Sequence, residues 1–258
     1  MCIILFSYKE HHDFPLILAS NRDEFFERPA DPASFWEEAP ELLAGRDLKE
    51  CGTWLGVTTT GRIATITNYR APFTIKDDAP SRGLLVSDYL RSKQGPREYM
   101  QTIRGNADRY NGFNFLFGAV GDLYYFSNRE NILQEITPGL YGLSNHLLDT
   151  PWPKVELGRE RLRLLISGSG EITPEAIFNI LADTTRPPDD RLPDTGVGIE
   201  WERILSPIFV ESPVYGTRYS TVIMMDNSHT VTFVERAFHS RPDKYESRRF
   251  SFTVESAS

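Results

Sequence analysis

The chain has few of the residues on which several common architectures depend. Its 258 residues include only two cysteines, Cys2 and Cys51. Two thiols without a C-x-x-C spacing exclude a disulfide framework and a cysteine-rich zinc module. The five histidines form no ligand-spaced cluster, so no metal site is expected. No stretch reaches the roughly 18 apolar residues of a membrane-crossing helix. Long basic runs are missing and the net charge is -8, which removes the electrostatic footprint of a nucleic-acid binder. The short basic group from Arg159 to Arg163 reads as a solvated helix face. There is no internal repeat and no low-complexity tract. The apolar opening from Cys2 to Phe6 has neither a basic flank before it nor a small-residue cleavage site after it, so it does not read as a secretory signal. Free thiols suit a reducing compartment, and a soluble cytoplasmic protein is expected.

What remains is an ordinary globular composition: 40% hydrophobic, 12% aromatic and 25% charged. That is enough to bury a sizeable core, here expected within one domain spanning residues 1–258. Apolar β-rich runs occur at Cys2 to Tyr8 and Pro15 to Ala19. Thr53 to Thr59 and Arg62 to Thr67 flank Gly61 as a tight hairpin. Phe113 to Val120 and Leu123 to Ser127 flank Gly121-Asp122 as a second. Thr221 to Met225 and Thr230 to Glu235 flank Asp226 to His229 as a third, and Phe250 to Val254 supplies a last strand. Helices are expected between the hairpins: Ser81 to Ser92, Pro96 to Ile103, one starting at Thr150-Pro151, and one starting at Thr173-Pro174. The segment from Asp183 to Thr195 reads as a long surface loop, either a lid or a plain connector.

Sequential hairpins imply antiparallel pairing rather than a parallel winding. Strands such as Ile3 to Phe6 and Val222 to Met225 are apolar at nearly every position, so both their faces are buried. The expected class is α+β, a four-layer αββα sandwich of two stacked antiparallel sheets.

Position two carries the chemical interest. Removal of the initiator methionine would give Cys2 a free α-amine. A thiol is a weak nucleophile until a base takes its proton. An α-amine, with an ordinary pKa of about 7.7 to 8.0, can be that base, so one residue supplies both functions. The bland alternative is a small buried hydrophobe in a first strand, and position alone leaves both open. Polar strings follow other strands: Ser20-Asn21-Arg22-Asp23-Glu24, Thr67-Asn68-Tyr69-Arg70, Leu143-Ser144-Asn145-His146 and Gly216-Thr217-Arg218. An asparagine amide can donate to an oxyanion or merely shape a turn. Arg218, expected at a strand entrance, can grip a carboxylate or stand at the surface.

Taken in order, these strings resemble the NRDE family of transport and Golgi organization 2-like proteins, named for Asn21-Arg22-Asp23-Glu24. The match also includes Met1-Cys2, Gly52 to Val57, Gly142 to Asn145 and Ser220-Thr221-Val222. The family is in turn similar to the N-terminal-nucleophile hydrolases, especially the cysteine branch of penicillin V acylase and conjugated bile acid hydrolase. That resemblance implies Cys2 as nucleophile and base, Asp23 holding the α-amine, and Asn145 as main oxyanion donor. It implies Asn68 as a second donor, Arg218 as charge stabiliser, and Asn21 and Arg22 among the substrate-binding positions. The reaction implied is hydrolysis of a C–N bond in a small non-peptide amide, with no cofactor. The same resemblance carries an alternative, a haem-trafficking or lipid-homeostasis protein without hydrolysis, in which Cys2 and His146 are the available haem ligands. Two departures stand out. Ser20 occupies the place where the acylase branch has an arginine, so Arg22 would have to cover from a different backbone point. Cys51 stands where the family usually has glycine, and reads as inert filler or a second thiol near the site.

Overall fold

The structure is a computed structural model that describes residues 2–239 and 241–255. These fall into two compact units, one of residues 1–27 with 138–251 and one of residues 28–137 with 252–258.

The first unit is built on a six-stranded sheet in the order β10-β1-β2-β11-β12-β13. Its strands are β1 (Cys2–Tyr8), β2 (Leu16–Phe25), β10 (Gly139–Leu143), β11 (Tyr215–Met225), β12 (Thr230–Phe238) and β13 (Tyr245–Thr253). β10, β1, β2, β11 and β12 pair antiparallel. Side chains alternate across a strand, and both faces of these inner strands are apolar and buried. Ile3, Leu5, Ile17, Ala19, Val222 and Met224 share one face, where they pack with residues of α3 (Pro153–Ser167) and α4 (Pro174–Leu181). Leu162, Ile177 and Leu181 fill that layer from the helix side. Gly158 lets α3 approach closely, because a Cβ there would stand 2.7 Å from Leu5 Cδ1. The Thr173 hydroxyl accepts from the Ala176 N–H at 3.2 Å and caps α4, as expected of a Thr-Pro start.

The 183–207 segment, which contains α5 (Ile199–Leu205), is strapped down rather than loose. Asp183 pairs with Arg161, Arg191 pairs with Glu156 at 2.8 Å, and the buried Lys154 donates to the Leu205 carbonyl at 3.0 Å.

The second unit carries a seven-stranded sheet in plain chain order. Its strands are β3 (Ala30–Trp36), β4 (Ala39–Asp47), β5 (Leu55–Thr58), β6 (Arg62–Asn68), β7 (Phe113–Ala119), β8 (Asp122–Ser127) and β9 (Ile132–Glu135). Short turns join several of the neighbours, while residues 69–112, with both helices of this unit, connect β6 to β7. Gly61, at φ +80°, makes the β5–β6 turn in a conformation that suits glycine. Helices α1 (Arg82–Arg91) and α2 (Pro96–Arg104) pack onto this sheet through Leu85, Tyr89, Tyr99 and Met100. The Phe115 and Phe117 rings, at alternate positions of β7, stack at 4.4 Å beneath them.

Several sequence expectations change here. β2 does not stop at Ala19 but continues to Phe25, so the Asn21-Arg22-Asp23-Glu24 string lies inside a strand. Its neighbours β1 and β11 cover it from both sides, which is why Asn21, Arg22 and Asp23 are buried despite their polarity. β11 starts at Tyr215, so Arg218 lies within the strand rather than at its entrance. α3 starts two residues later than the Thr150-Pro151 signal, with Trp152 in the capping position.

Candidate active site

The ladder between β1 and β2 sets Cys2 across from Arg22 and Ile4 across from Ser20. Continuing outward, Arg22 faces Tyr219, and Ser20 faces Thr221. On the other side Ile4 pairs with Leu143, and β10 ends there. Two residues beyond lies Asn145, just outside β10. A row of Cys2, Arg22 and Tyr219 therefore crosses the sheet, on the face opposite the Ile3–Leu5 helix-packing side. The neighbouring row is Leu143, Ile4, Ser20, Thr221 and Glu235.

Direct contacts fasten this row. The Ser144 hydroxyl lies 2.9 Å from the Cys2 carbonyl oxygen and 3.3 Å from Asn145 Oδ1. It thus ties the end of β10 to the start of β1 and orients the fully buried Asn145 carboxamide by its oxygen. Asp23 is equally well held. Its Oδ1 accepts from the Thr217 hydroxyl at 2.7 Å, and its carbonyl accepts from the Tyr215 phenol at 2.8 Å. Thr217 in turn accepts from the Val210 N–H at 2.9 Å.

These surroundings act on the thiol. Burial pushes the Cys2 pKa up, and the Asp23 carboxylate pushes the same way. The charge of the chain's N-terminal amine opposes the shift most, followed by the Arg22 guanidinium and a hydrogen bond from the Asp23 backbone. The Cys2 thiol therefore feels both the Asp23 carboxylate and the Arg22 guanidinium.

The remaining positions are placed as follows. Asn21 points to the helix side. Its amide donates to the carbonyls of Leu181 and Ile208, each at 2.9 Å, and its oxygen accepts from Ser220 at 2.5 Å. That makes it a brace between β2, the end of α4 and the 208 segment. Arg218 stands at a bulge in the β2–β11 register, and its guanidinium donates to the carbonyls of Phe25 and Phe26 at 3.0 and 3.2 Å. Asn68 closes β6 in the second unit, paired with Phe113. His146, the second suggested haem ligand, has Nδ1 2.9 Å from the Thr150 hydroxyl and its ring 5.9 Å from that of Trp152. Cys51 is exposed and sits at φ +62°. A left-handed backbone explains why glycine suits that position.

Thr217, Tyr215 and Ser144, which hold the site together, were not singled out by sequence. Thr217 lies in the matched Gly216-Thr217-Arg218 string, but only its ladder position opposite Asp23 reveals its role.

The profile of the Transport and Golgi organisation 2 family matches residues 1–240. The chain belongs to that family. A Transport and Golgi organization protein 2 homolog from Bos taurus is 36% identical, covering 99% of this chain and all of the relative. The Drosophila melanogaster Transport and Golgi organization protein 2 is 29% identical over 91% of each chain. Among solved structures, a mutant of the conjugated bile acid hydrolase of Clostridium perfringens superposes with a TM-score of 0.51. It is 9% identical and covers 100% of this chain and 99% of that one. The Caenorhabditis elegans ortholog of N-acylethanolamine-hydrolyzing acid amidase gives a TM-score of 0.50 at 10% identity, covering 86% and 92%. At such identities the likeness shows the fold alone: the chain has the α+β fold of these N-terminal-nucleophile hydrolases. No described helix is long and apolar enough to cross a membrane.

Proposed function

We propose that this protein is an N-terminal cysteine amidohydrolase that cleaves the C–N bond of a small non-peptide amide. The observation that carries the reading is Cys2 set across from Arg22, with Ser144 bridging the Cys2 carbonyl and the Asn145 carboxamide and with an anchored Asp23 carboxylate that acts on the thiol.

The reaction starts after loss of Met1, when Cys2 bears the α-amine. The amine takes the thiol proton, and Asp23 holds the resulting ammonium. Sγ attacks the amide carbonyl, forming an S–C bond and an oxyanion. The Asn145 amide donates to that oxyanion, a kind of contact whose loss typically slows catalysis about 100- to 1,000-fold. Collapse breaks the C–N bond, and the ammonium proton leaves with the amine. The α-amine then deprotonates a water, which attacks the thioester, releases the acid and restores the thiol.

Arg22 takes the charge-stabilising part in this scheme. Its guanidinium favours the Cys2 thiolate, and it shares the row with Cys2. Arg218 is engaged with the Phe25 and Phe26 carbonyls and serves to hold the β2–β11 bulge. Arg22 thus covers for the arginine absent at Ser20.

A panel of N-acyl p-nitroanilides with acyl groups of increasing length tests the reading. Release of p-nitroaniline by the wild type, abolished in Cys2→Ala and in Asn145→Ala, is expected. Turnover that survives Cys2→Ala unchanged would rule the mechanism out.

A further inference from the structure

The turn joining β1 to β2 lies outside the candidate site and carries two of the five histidines side by side. It runs Glu10-His11-His12-Asp13-Phe14. One ligand-capable atom each from His11, His12 and Asp13 lies within 4.8 Å of the other two. His12 Nε2 is 2.9 Å from Asp13 Oδ2, and the His11 and His12 rings stand 4.4 Å apart.

We propose that this turn is a divalent-metal site formed by His11, His12 and Asp13, taking Zn2+ or a first-row ion of similar ligand preference. Two imidazoles and one carboxylate match the borderline ligand set of Zn2+. At Zn–N and Zn–O distances of about 2.0 to 2.2 Å, tetrahedral ligand atoms lie roughly 3.4 Å apart. The three side chains must therefore close by little over an ångström. His12 and Asp13 are exposed and rotate without disturbing packing.

The backbone is already fixed. Lys9 N–H donates to the Pro15 carbonyl at 2.8 Å across the turn. From the neighbouring β11–β12 turn, Asn227 Nδ2 donates to the His12 carbonyl at 2.7 Å, and its N–H donates to the Asp13 carbonyl at 3.2 Å. Six main-chain and side-chain groups thus order the ligand-bearing residues before any ion arrives, which reduces the entropy lost on binding.

The His11 Nδ1 accepts from the Asp13 N–H at 3.2 Å, so ligation at Nδ1 exchanges one hydrogen bond for a metal bond. Three protein ligands leave the fourth position to water or to a donor from elsewhere.

The two thiols are competing zinc ligands, so the test uses full-length Cys2→Ser, Cys51→Gly protein. Calorimetric titration with ZnCl2 is expected to show saturable binding of one equivalent. His12→Ala and Asp13→Ala should each weaken it roughly tenfold or more, while His229→Ala leaves it unchanged. In imidazole proton–nitrogen correlation spectra, Zn2+ should move His11 and His12 and leave His146 in place. Binding that is equally strong in His12→Ala, or the lack of any saturable binding in the thiol-free protein, overturns the assignment.

Discussion

The hydroxyl of Thr217 donates to Oδ1 of Asp23 at 2.7 Å, within a pair that the β2–β11 ladder itself sets face to face. This contact carries the Asp23 carboxylate to the one place where it acts on the Cys2 thiol. Thr217→Val removes the donor and also the acceptor used by the Val210 N–H. A hydrogen bond to a charged group is worth about 1.5–3 kcal/mol. Thr217→Val is expected to lose about that much stability in denaturant titration and to slow p-nitroanilide turnover, which in the proposed mechanism needs Asp23 held in place. Thr217→Ser keeps the hydroxyl and should retain most of both.

The thiol itself gives a pH prediction. Burial and then Asp23 raise the Cys2 pKa, and Arg22 lowers it. Iodoacetamide alkylation of Cys2 should therefore show a pH midpoint above that of an ordinary thiol. Asp23→Asn removes a raising cause and should move the midpoint down. Arg22→Gln removes a lowering cause and should move it up, whereas Arg218→Gln should leave it in place. The linked stability has a fixed sign. With a folded pKa above the unfolded one, Cys2 favours the native state fully below the unfolded pKa. That contribution is lost as pH rises through the folded value.

Asn21 is predicted to act on stability. Its amide serves two buried carbonyls, those of Leu181 and Ile208, and its oxygen serves Ser220. Each buried polar group left unsatisfied costs about 1–3 kcal/mol. Asn21→Ala should destabilise the protein by about 3 kcal/mol or more, read as a lower denaturation midpoint. The loss should appear whether or not Met1 is present. A midpoint within error of wild type contradicts the bracing role.

Cys51 offers the opposite sign. A non-glycine residue in the left-handed region costs on the order of 1 kcal/mol, and Cys51 has φ +62°. Cys51→Gly should raise the thermal midpoint slightly, and Cys51→Val should lower it, since a branched Cβ tolerates that conformation least. Because Cys51 is exposed and Cys2 half-buried, a bulky maleimide should label Cys51 first.

Much of this was legible in the sequence, and the exceptions have physical causes. The three hairpins, the four longer helices and both end strands follow from alternation, turn residues and proline starts. The order of matched polar strings pointed to Cys2, Asp23 and Asn145, and the ladder sets Cys2 across from Arg22, the residue before Asp23. β3 and β4 escaped because their apolar positions are interrupted by Asp31, Pro32, Glu37, Glu38 and Pro40, which read as loop. The reach of β2 to Phe25 escaped for a related reason. Charged residues argue for solvent, and only pairing on both sides by β1 and β11 makes Arg22 and Asp23 interior. The placement of Arg218 against the Phe25 and Phe26 carbonyls accompanies a register shift between Thr217 and Tyr219, and no local sequence signal announces a bulge of that kind.

The account rests on Cys2 as the residue that takes the acyl group. The most direct measurement is mass spectrometry of the protein quenched in acid during reaction with p-nitrophenyl hexanoate, followed by peptide mapping. One hexanoyl group on the N-terminal Cys2 peptide, formed after loss of Met1 and released by hydroxylamine, is the predicted result. Acyl transfer confined to Cys51, or ester turnover that continues unchanged in Cys2→Ala, would contradict it.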